Sequence, residues 1–475
     1  MNDFRKSLDD NADMMRTLLR VSESYDMIVK QIKISDRKAM MFCVDGFTKD
    51  EMLEKMLEHL EKIPASDFGS ITSGYELADN YVPYIETSVE TDADKVVKLV
   101  LSGAICLLVE DIGEAIIIDS RTYPARPVQE PEADKVLRGS HEGFVETLVF
   151  NTALIRRRVR DTNLTLKLHQ VGYSSKTDVI VCYIDGKADK KLLKKISDKL
   201  DSINVDALAM GQESLKECLI PYQPLNPYPK VRYTERPDTA AACLNDGNIL
   251  ILCDGTPSAI IIPTGIFDFV QDINDYYFTP VVGTFLRYIR VIVFFLSMFL
   301  TPVWYVIVTN LDSMPKWLDF LYIQKPNNVP IIIQLLIIEF VVDTLKLASL
   351  NTPSALSHSF SVVGALVLGE FAVESGLFVS ETVLFMAFIA ISSYTQPSYE
   401  LGYAIKLSRI FILILSAIFG IWGFLIGTLL VIICVCTTKT VGGYTYLYPV
   451  IPFNADALKG LLYRRRIKSD FSRKK

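Results

Sequence analysis

The spacing of hydrophobic residues changes beyond about residue 285. Before that point, short apolar runs typical of buried strands alternate with segments whose apolar residues recur every three or four positions, as in amphipathic helices. After it, the apolar runs are long and almost free of charged residues. The pattern predicts an α/β soluble region followed by an α-helical, polytopic membrane domain.

The soluble region contains an internal duplication. Residues 39–63 read AMMFCVDGFTKDEMLEKMLEHLEKI, and residues 179–203, which begin 140 positions later, read VIVCYIDGKADKKLLKKISDKLDSI. Each segment has the pattern of an apolar strand, an Asp-Gly turn and an amphipathic helix. Residues 99–120 and 243–264 form a second pair, with an offset of 144 and the same Ala-Ile-Ile-Ile run. Two pairs in the same order predict two related α/β subdomains.

The chain therefore divides into five predicted parts. The first subdomain covers residues 1–120, a linker with a basic helix covers 121–164, and the second subdomain covers 165–285. The membrane domain covers 286–440, and a basic tail covers 441–475.

The basic helix of the linker ends in Arg156, Arg157 and Arg158. Cations at a helix C-terminus complement the helix dipole, so one interpretation is a solvated helix end. The other is a contact to the membrane surface, to a partner subunit or between domains.

Two uncharged stretches in the second half are long enough to span a bilayer. The first has 21 residues, between Arg290 and Asp312, and the second has 29, between Arg409 and Lys439. A straight helix of the second length would be about 43 Å long against a hydrocarbon core of about 30 Å, so it must tilt, project or break. Glycines at 420, 423 and 427 offer a bend or close helix packing.

Topology follows from the two ends of the chain. The N-terminal sequence lacks the apolar segment of a signal peptide, and the C-terminal tail is rich in arginine and lysine, so both ends are expected in the cytoplasm. An even number of crossings is then required. We expect about four spans plus a re-entrant or interfacial helix, or six spans if the 29-residue stretch is a hairpin.

Acidic residues interrupt the apolar segments at helical spacing. Glu339 and Asp343 are four positions apart, as are Glu370 and Glu374, so each pair lies on one helix face. Acids at membrane depth usually face a water-filled path or a partner, and a ring of them in an oligomer favours cations. The alternative is that these segments lie at the membrane interface, or that Lys346 simply pairs with Asp343.

Other classes of function find little support. Nucleotide-binding, metalloprotease and serine-hydrolase motifs are absent, so we expect neither an enzyme nor a bound cofactor or metal. A formal net charge of −6 gives no reason to expect nucleic acid as a partner.

Several long motifs resemble the GerA-type spore germination protein A subunit family. They are RGSHEGFVETLVFNTALIRRRVR (138–160), NPYPKVRYTERPDTAAACLNDG (226–247), DGTPSAIIIPT (254–264) and VVGALVLGEFAVESGL (362–377). Within the family the chain is distinguished by a short N-terminal segment, the VDGFTKDEMLEKML run and a brief RRRIK tail. Many receptor A subunits in that family begin instead with a longer polar extension, which is missing here.

The resemblance implies a multi-pass protein of the spore inner membrane, with its N-terminal domain and tail on the spore-core side. It also implies a ring-shaped homo-oligomer in the lipid bilayer that conducts monovalent cations alongside other germination membrane proteins, and it strengthens the case for Glu370 and Glu374 as pore-lining residues. A non-conducting scaffold or signal-relay subunit stays open as the alternative.

Overall fold

The computed structural model describes residues 3–22, 27–44, 47–48, 50–69, 71–121, 130–131, 135–136, 139–310, 321–351 and 372–464. The chain forms two compact units, Met1–Arg126 and Pro127–Lys475. The Asp-Gly turn of residues 39–63, which consists of Asp45 and Gly46, lies outside the described residues. Glu370 also lies outside them.

The first unit is built on an antiparallel five-stranded sheet in the order β1–β2–β4–β5–β3. The strands are β1 (Met27–Ile34), β2 (Arg37–Val44), β3 (Thr87–Glu90), β4 (Ile105–Val109) and β5 (Ala115–Ile118). The helices are α1 (Leu8–Leu18), α2 (Asp50–Glu61), α3 (Ala65–Phe68), α4 (Gly74–Tyr81) and α5 (Ala93–Leu101).

Both faces of this sheet are covered, which explains the unbroken apolar run of strand β2. Side chains alternate between the faces of a strand. Met41 packs in one core with Leu60 and Leu77, whereas its neighbour Phe42 packs in another with Met15 and Val96. A strand buried on both sides needs apolar residues at every position, so it loses the alternating pattern of a half-exposed strand.

The second unit begins with a copy of the same plan. Its sheet has the order β6–β7–β9–β10–β8, which repeats the order of the first sheet, and its strands are also antiparallel. The strands are β6 (Leu164–Val171), β7 (Thr177–Ile184), β8 (Arg232–Thr234), β9 (Ile249–Cys253) and β10 (Ala259–Ile262). The helices are α6 (Leu148–Arg158), α7 (Lys190–Ser202), α8 (Gln212–Leu219) and α9 (Pro237–Asn245). The predicted pair of related subdomains is confirmed.

An asparagine clamp occurs at the same place in both copies. Asn11 of α1 accepts a hydrogen bond from the Arg5 N–H at 2.9 Å and donates one to the Arg5 carbonyl at 2.6 Å. Asn151 of α6 makes the same two bonds to Val145, at 2.8 and 2.6 Å. Both residues of the clamp repeat 140 positions apart, so α6 is the counterpart of α1. The repeat therefore includes the basic helix.

Helices make up most of the described remainder of the second unit. They are α10 (Asn274–Tyr277), α11 (Pro280–Thr309), α12 (Ile331–Asn351), α13 (Ala372–Glu374), α14 (Ser380–Ser393), α15 (Tyr399–Cys436) and α16 (Ala455–Leu462), and we call them the helical region. Within the described residues, α11 and α15 are long and apolar enough to cross a membrane. The predicted helical architecture is thus seen, whereas the number of crossings stays a prediction.

Helix α15 is a hairpin rather than one straight rod. Gly420 has φ 61° and ψ −137°, a conformation that favours glycine and breaks the helix. A Cβ atom on Gly423 would lie 1.9 Å from the Leu415 carbonyl oxygen, and one on Gly427 would lie 3.2 Å from the Ile412 Cα. In a straight helix, residues eight and fifteen positions apart are separated by about 12 and 22 Å. The chain therefore turns back at Gly420, and the two later glycines let the arms approach closely.

We predict that Asn151→Ala lowers the free energy of unfolding by about 2 kcal/mol, because the fully buried Val145 peptide loses both of its hydrogen bonds to this side chain. Thermal unfolding of the full chain in detergent would measure the change. Asn80→Ala, at an exposed helical position, is the matched control and should have little effect. Equal stability of the two variants would contradict a structural role for the clamp.

Candidate functional site

The acidic face of α12 is turned toward the hairpin. Glu339, Asp343 and Lys346 recur at spacings of four and three, so they share one face of α12. The adjoining side of the helix is apolar and exposed, with Phe340 at 73% exposure. The helix thus presents its charges inward and its hydrocarbon surface outward.

A buried ion-pair cluster joins α12 to the first arm of the hairpin. Glu339 and Arg409 are only 6% and 4% exposed. The Arg409 Nε donates to Glu339 Oε1 at 3.0 Å, and its Nη2 contacts the same oxygen. Lys406 bridges the two acids, with its Nζ 3.2 Å from Glu339 Oε2 and in contact with Asp343. Arg409 also donates to the Ser297 carbonyl of α11 at 2.6 Å, so three helices meet here.

This cluster is expected to fix how the helices are aligned. Charges removed from water lose hydration, and a buried pair regains that free energy only when its geometry and hydrogen bonds are good. Sliding α12 along α15 by one residue would separate Glu339 from both cations and leave charges uncompensated in an apolar region. The cluster therefore favours one alignment strongly, whatever its net contribution to stability.

The base of the hairpin is fastened to the second subdomain. The Tyr228 hydroxyl hydrogen-bonds the Ser408 hydroxyl of the first arm at 2.9 Å. Asn226 donates from its side chain to Thr438 Oγ1, just after the second arm, at 2.8 Å. Burial raises the pKa of Tyr228 to about 12, so its hydroxyl stays protonated at physiological pH. Asn226 and Tyr228, which belong to one loop, are thus hydrogen-bonded to both arms of the hairpin.

A second buried cluster lies where the helical region begins. Asp275 of α10 is fully buried and accepts from Arg287 Nε at 3.2 Å and Arg290 Nη1 at 2.9 Å. Arg287 also donates to the Gly460 carbonyl of α16 at 2.8 Å. This cluster ties the start of α11 to the C-terminal helix.

The residues selected from the sequence fall into three groups. Glu339 and Asp343 lie together in the ion-pair cluster, and Asp343 pairs with Lys406 rather than with Lys346. Glu374 is exposed on α13, and no ion pair to it occurs among the described residues. Its predicted companion Glu370 lies outside the described part of the chain. Whether these acids line a pore stays a prediction.

The three arginines of α6 make contacts within their own unit. Arg156 donates to the carbonyls of Asp161 and Leu164 at 3.0 and 2.8 Å. Arg157 and Arg158 each lie 2.7 Å from a carboxylate oxygen of Glu142. Arg157 keeps 64% of its side chain exposed and Arg158 keeps 25%, so a further contact to a partner stays a prediction.

Sequence reasoning missed the basic half of the ion-pair cluster. Arg409 was treated only as the charged border of an apolar stretch, and Lys406 was not considered. Their spacing of three puts both cations on one helix face, as the spacing of four does for Glu339 and Asp343, and this was the available signal. Across the described ranges, no group of three or more histidine, cysteine, aspartate or glutamate side chains is placed to hold a metal ion.

Comparisons with known proteins agree over nearly the whole chain. The family model described as Bacillus/Clostridium GerA spore germination protein matches residues 13–475. Stage V sporulation protein AF of Bacillus subtilis (strain 168) is 37% identical over 461 residues, which are 96% of this chain and 92% of that protein. Spore germination protein KA of the same organism is 28% identical over 95% of this chain and 84% of its own length. These matches confirm the resemblance seen in the sequence motifs.

A solved structure also matches part of the chain. It is the crystal structure of the N-terminal domain of the A subunit of the Bacillus megaterium spore germinant receptor GerK3. The match covers 55% of this chain and 95% of that chain at 23% identity, with a TM-score of 0.22. A likeness at that score carries no argument about the fold.

We predict that Glu339→Gln destabilises the protein by about 3 kcal/mol, because it leaves the Arg409 guanidinium buried without its counter-charge. Thermal unfolding in detergent would show the loss as a lower midpoint. Asp13→Asn removes the same charge from an exposed pair with Arg16, at 3.0 Å, and should change the midpoint little. A midpoint for Glu339→Gln that equals the control's would show that the buried pair is unimportant.

Proposed function

We propose a function for this chain from its family, because it belongs to the GerA family of spore germination proteins. We propose that it is one subunit of an oligomeric channel for monovalent cations in the spore inner membrane. The observation that carries the proposal is the placement of Glu339, Lys406 and Arg409 inside an otherwise apolar helical region. Ionisable groups at membrane depth are costly and usually accompany an ion path or a partner contact.

The apolar outer surface of the helical region supports a membrane-bound oligomer. Large apolar side chains are exposed along α11, α12 and α15, among them Phe285, Ile292, Phe340, Phe419 and Trp422. An exposed apolar surface of this extent needs lipid or neighbouring subunits to cover it. In a ring, each subunit contributes the same residues, so one acid per subunit becomes a circle of carboxylates.

Glu374 is the described acid best placed for such a circle. Its side chain is exposed, whereas Glu339 and Asp343 are already paired with cations of α15. No cation pairs with Glu374 in the described part of the chain, so this carboxylate is available to a passing ion. We therefore propose that Glu374 faces the ion path and that Glu339 and Asp343 shape the helices around it.

We propose that the hairpin is a re-entrant element, whereas the sequence expectation of six spans required each of its arms to cross the membrane. Its base is fastened to the second subdomain at Ser408, and its tip is at Gly420. Twelve residues of helix reach about 18 Å, which is little more than half of a hydrocarbon core of about 30 Å. With the subdomain at the cytoplasmic surface, the hairpin enters the membrane and returns. We propose that the other helices supply an even number of crossings, with both termini on the spore-core side.

A second candidate function is a scaffold or signal relay that does not conduct. It is favoured by the direct bonds from Asn226 and Tyr228 to both arms of the hairpin, which would carry a movement of the subdomain into the membrane. In either case we propose that the protein acts without catalysis.

Recording of single channels from the purified full chain in a planar bilayer tests the channel. We expect currents that favour K⁺ and Na⁺ over Cl⁻, from a particle whose measured mass is a multiple of the subunit. Glu374→Gln should reduce the preference for cations, because it removes one charge per subunit from the path, while the exposed Glu217→Gln should leave it unchanged.

Two results would decide against this proposal. A stable monomer that never conducts would favour the scaffold. Equal selectivity of Glu374→Gln and Glu217→Gln would exclude Glu374 from the path, even if the protein conducts.

A further inference from the structure

A cavity lies beside the ion-pair cluster, within a single subunit. Its volume is about 480 Å³, and α11, α12, α14 and α15 all contribute to its wall. Its charged and hydrogen-bonding wall residues include Glu339, Lys346, Tyr394, Gln396, Lys406 and Arg409. Apolar side chains such as Met386 and Ile389 line the remainder.

Within the described ranges, the charges around this cavity do not balance. Glu339 and Asp343 supply two negative charges, and Lys406 and Arg409, which pair with them, supply two positive ones. Lys346 adds a third cation. Its Nζ donates to Ser393 Oγ at 2.8 Å and lies 5.1 Å from the Tyr394 ring centroid, but no carboxylate in the described part of the chain comes within ion-pair distance of it.

A buried amide points to a missing partner at the same place. Gln396 is 7% exposed and lines the cavity, yet neither its side-chain nitrogen nor its oxygen has a hydrogen-bond partner among the residues that the structure describes. An unsatisfied buried polar group costs roughly 1–3 kcal/mol, so native structures rarely leave such a group without a hydrogen-bond partner. Water would satisfy the amide, but it would not offset the charge of Lys346.

We propose that the cavity binds an anionic oxygen group, a phosphate or a carboxylate. The Lys346 ammonium supplies the counter-charge, and the Gln396 amide N–H groups donate to the anion oxygens. Two sources carry this chemistry: a soluble anion and the headgroup of an anionic lipid. The apolar part of the wall gives room for the chain of a lipid next to its headgroup.

Binding should tighten the helical region. Lys346 belongs to α12, Gln396 follows α14, and Lys406 and Arg409 belong to α15, so an anion held among them bridges three helices. A ligand that binds only the folded state raises the unfolding midpoint in proportion to the logarithm of its concentration. This inference does not depend on whether the protein conducts ions.

The test compares unfolding midpoints of the full chain in a non-ionic maltoside detergent. The probes are sodium phosphate against sodium chloride at equal ionic strength, and mixed micelles of phosphatidylglycerol against phosphatidylcholine. Lys346→Gln should weaken the apparent affinity for the effective probe by about tenfold or more, as expected for the loss of a charged hydrogen-bond donor. Lys459→Gln removes the same charge from an exposed position on α16 and should bind as the unaltered protein does.

Each outcome bears on the proposal. A response to both anions supports a site open to soluble ligands, and a response to phosphatidylglycerol alone supports the lipid headgroup. No response to either probe, or the same response in Lys346→Gln and Lys459→Gln, overturns it.

If Lys346→Gln does not fold, Gln396→Glu serves in its place. Its carboxylate supplies the missing negative charge inside the cavity, so the response to the effective probe should be lost. An unchanged response in Gln396→Glu would also overturn the proposal.

Discussion

Arg409 and Glu339 meet where α11, α12 and the hairpin come together, and the arrangement of the helical region depends on that contact. An arginine in an apolar region needs a counter-charge close by, and only one alignment of α12 against α15 provides it. Lys406 and Asp343 extend the same cluster along the interface. Apolar packing between helices tolerates sliding far more readily, so the charges select one alignment among many that would bury similar area.

The hairpin connects this cluster to the second subdomain. Its glycines permit the sharp turn and the close approach of the arms, and its base is bonded to the loop that contains Tyr228. Ser408, which receives the Tyr228 bond, directly precedes Arg409 in the chain. A displacement of the second subdomain would therefore act on the ion-pair cluster through a single peptide unit.

The sequence alone predicted features that repeat or that interrupt a pattern. The duplication was visible because whole segments recur with similar offsets. A tilt, a projection or a break of α15 was expected because 29 uncharged residues exceed the thickness of a bilayer, and the structure shows the break. The pairing of Glu339 with Arg409 was not visible, because the two residues are 70 positions apart and helix packing decides which faces meet. The equivalence of α1 and α6 was also missed. It depends on Asn11 and Asn151, single residues whose shared role shows only in their hydrogen bonds.

A double-mutant cycle on Glu339 and Arg409 tests the central claim most directly. Unfolding free energies of Glu339→Gln, Arg409→Gln and the double variant would give the coupling between the two side chains. We predict that the double variant is more stable than the sum of the single effects implies, with a coupling of about 2 kcal/mol or more, because removing both charges leaves neither one buried alone. Additive single effects would contradict the claim that this ion pair sets the arrangement of the helical region.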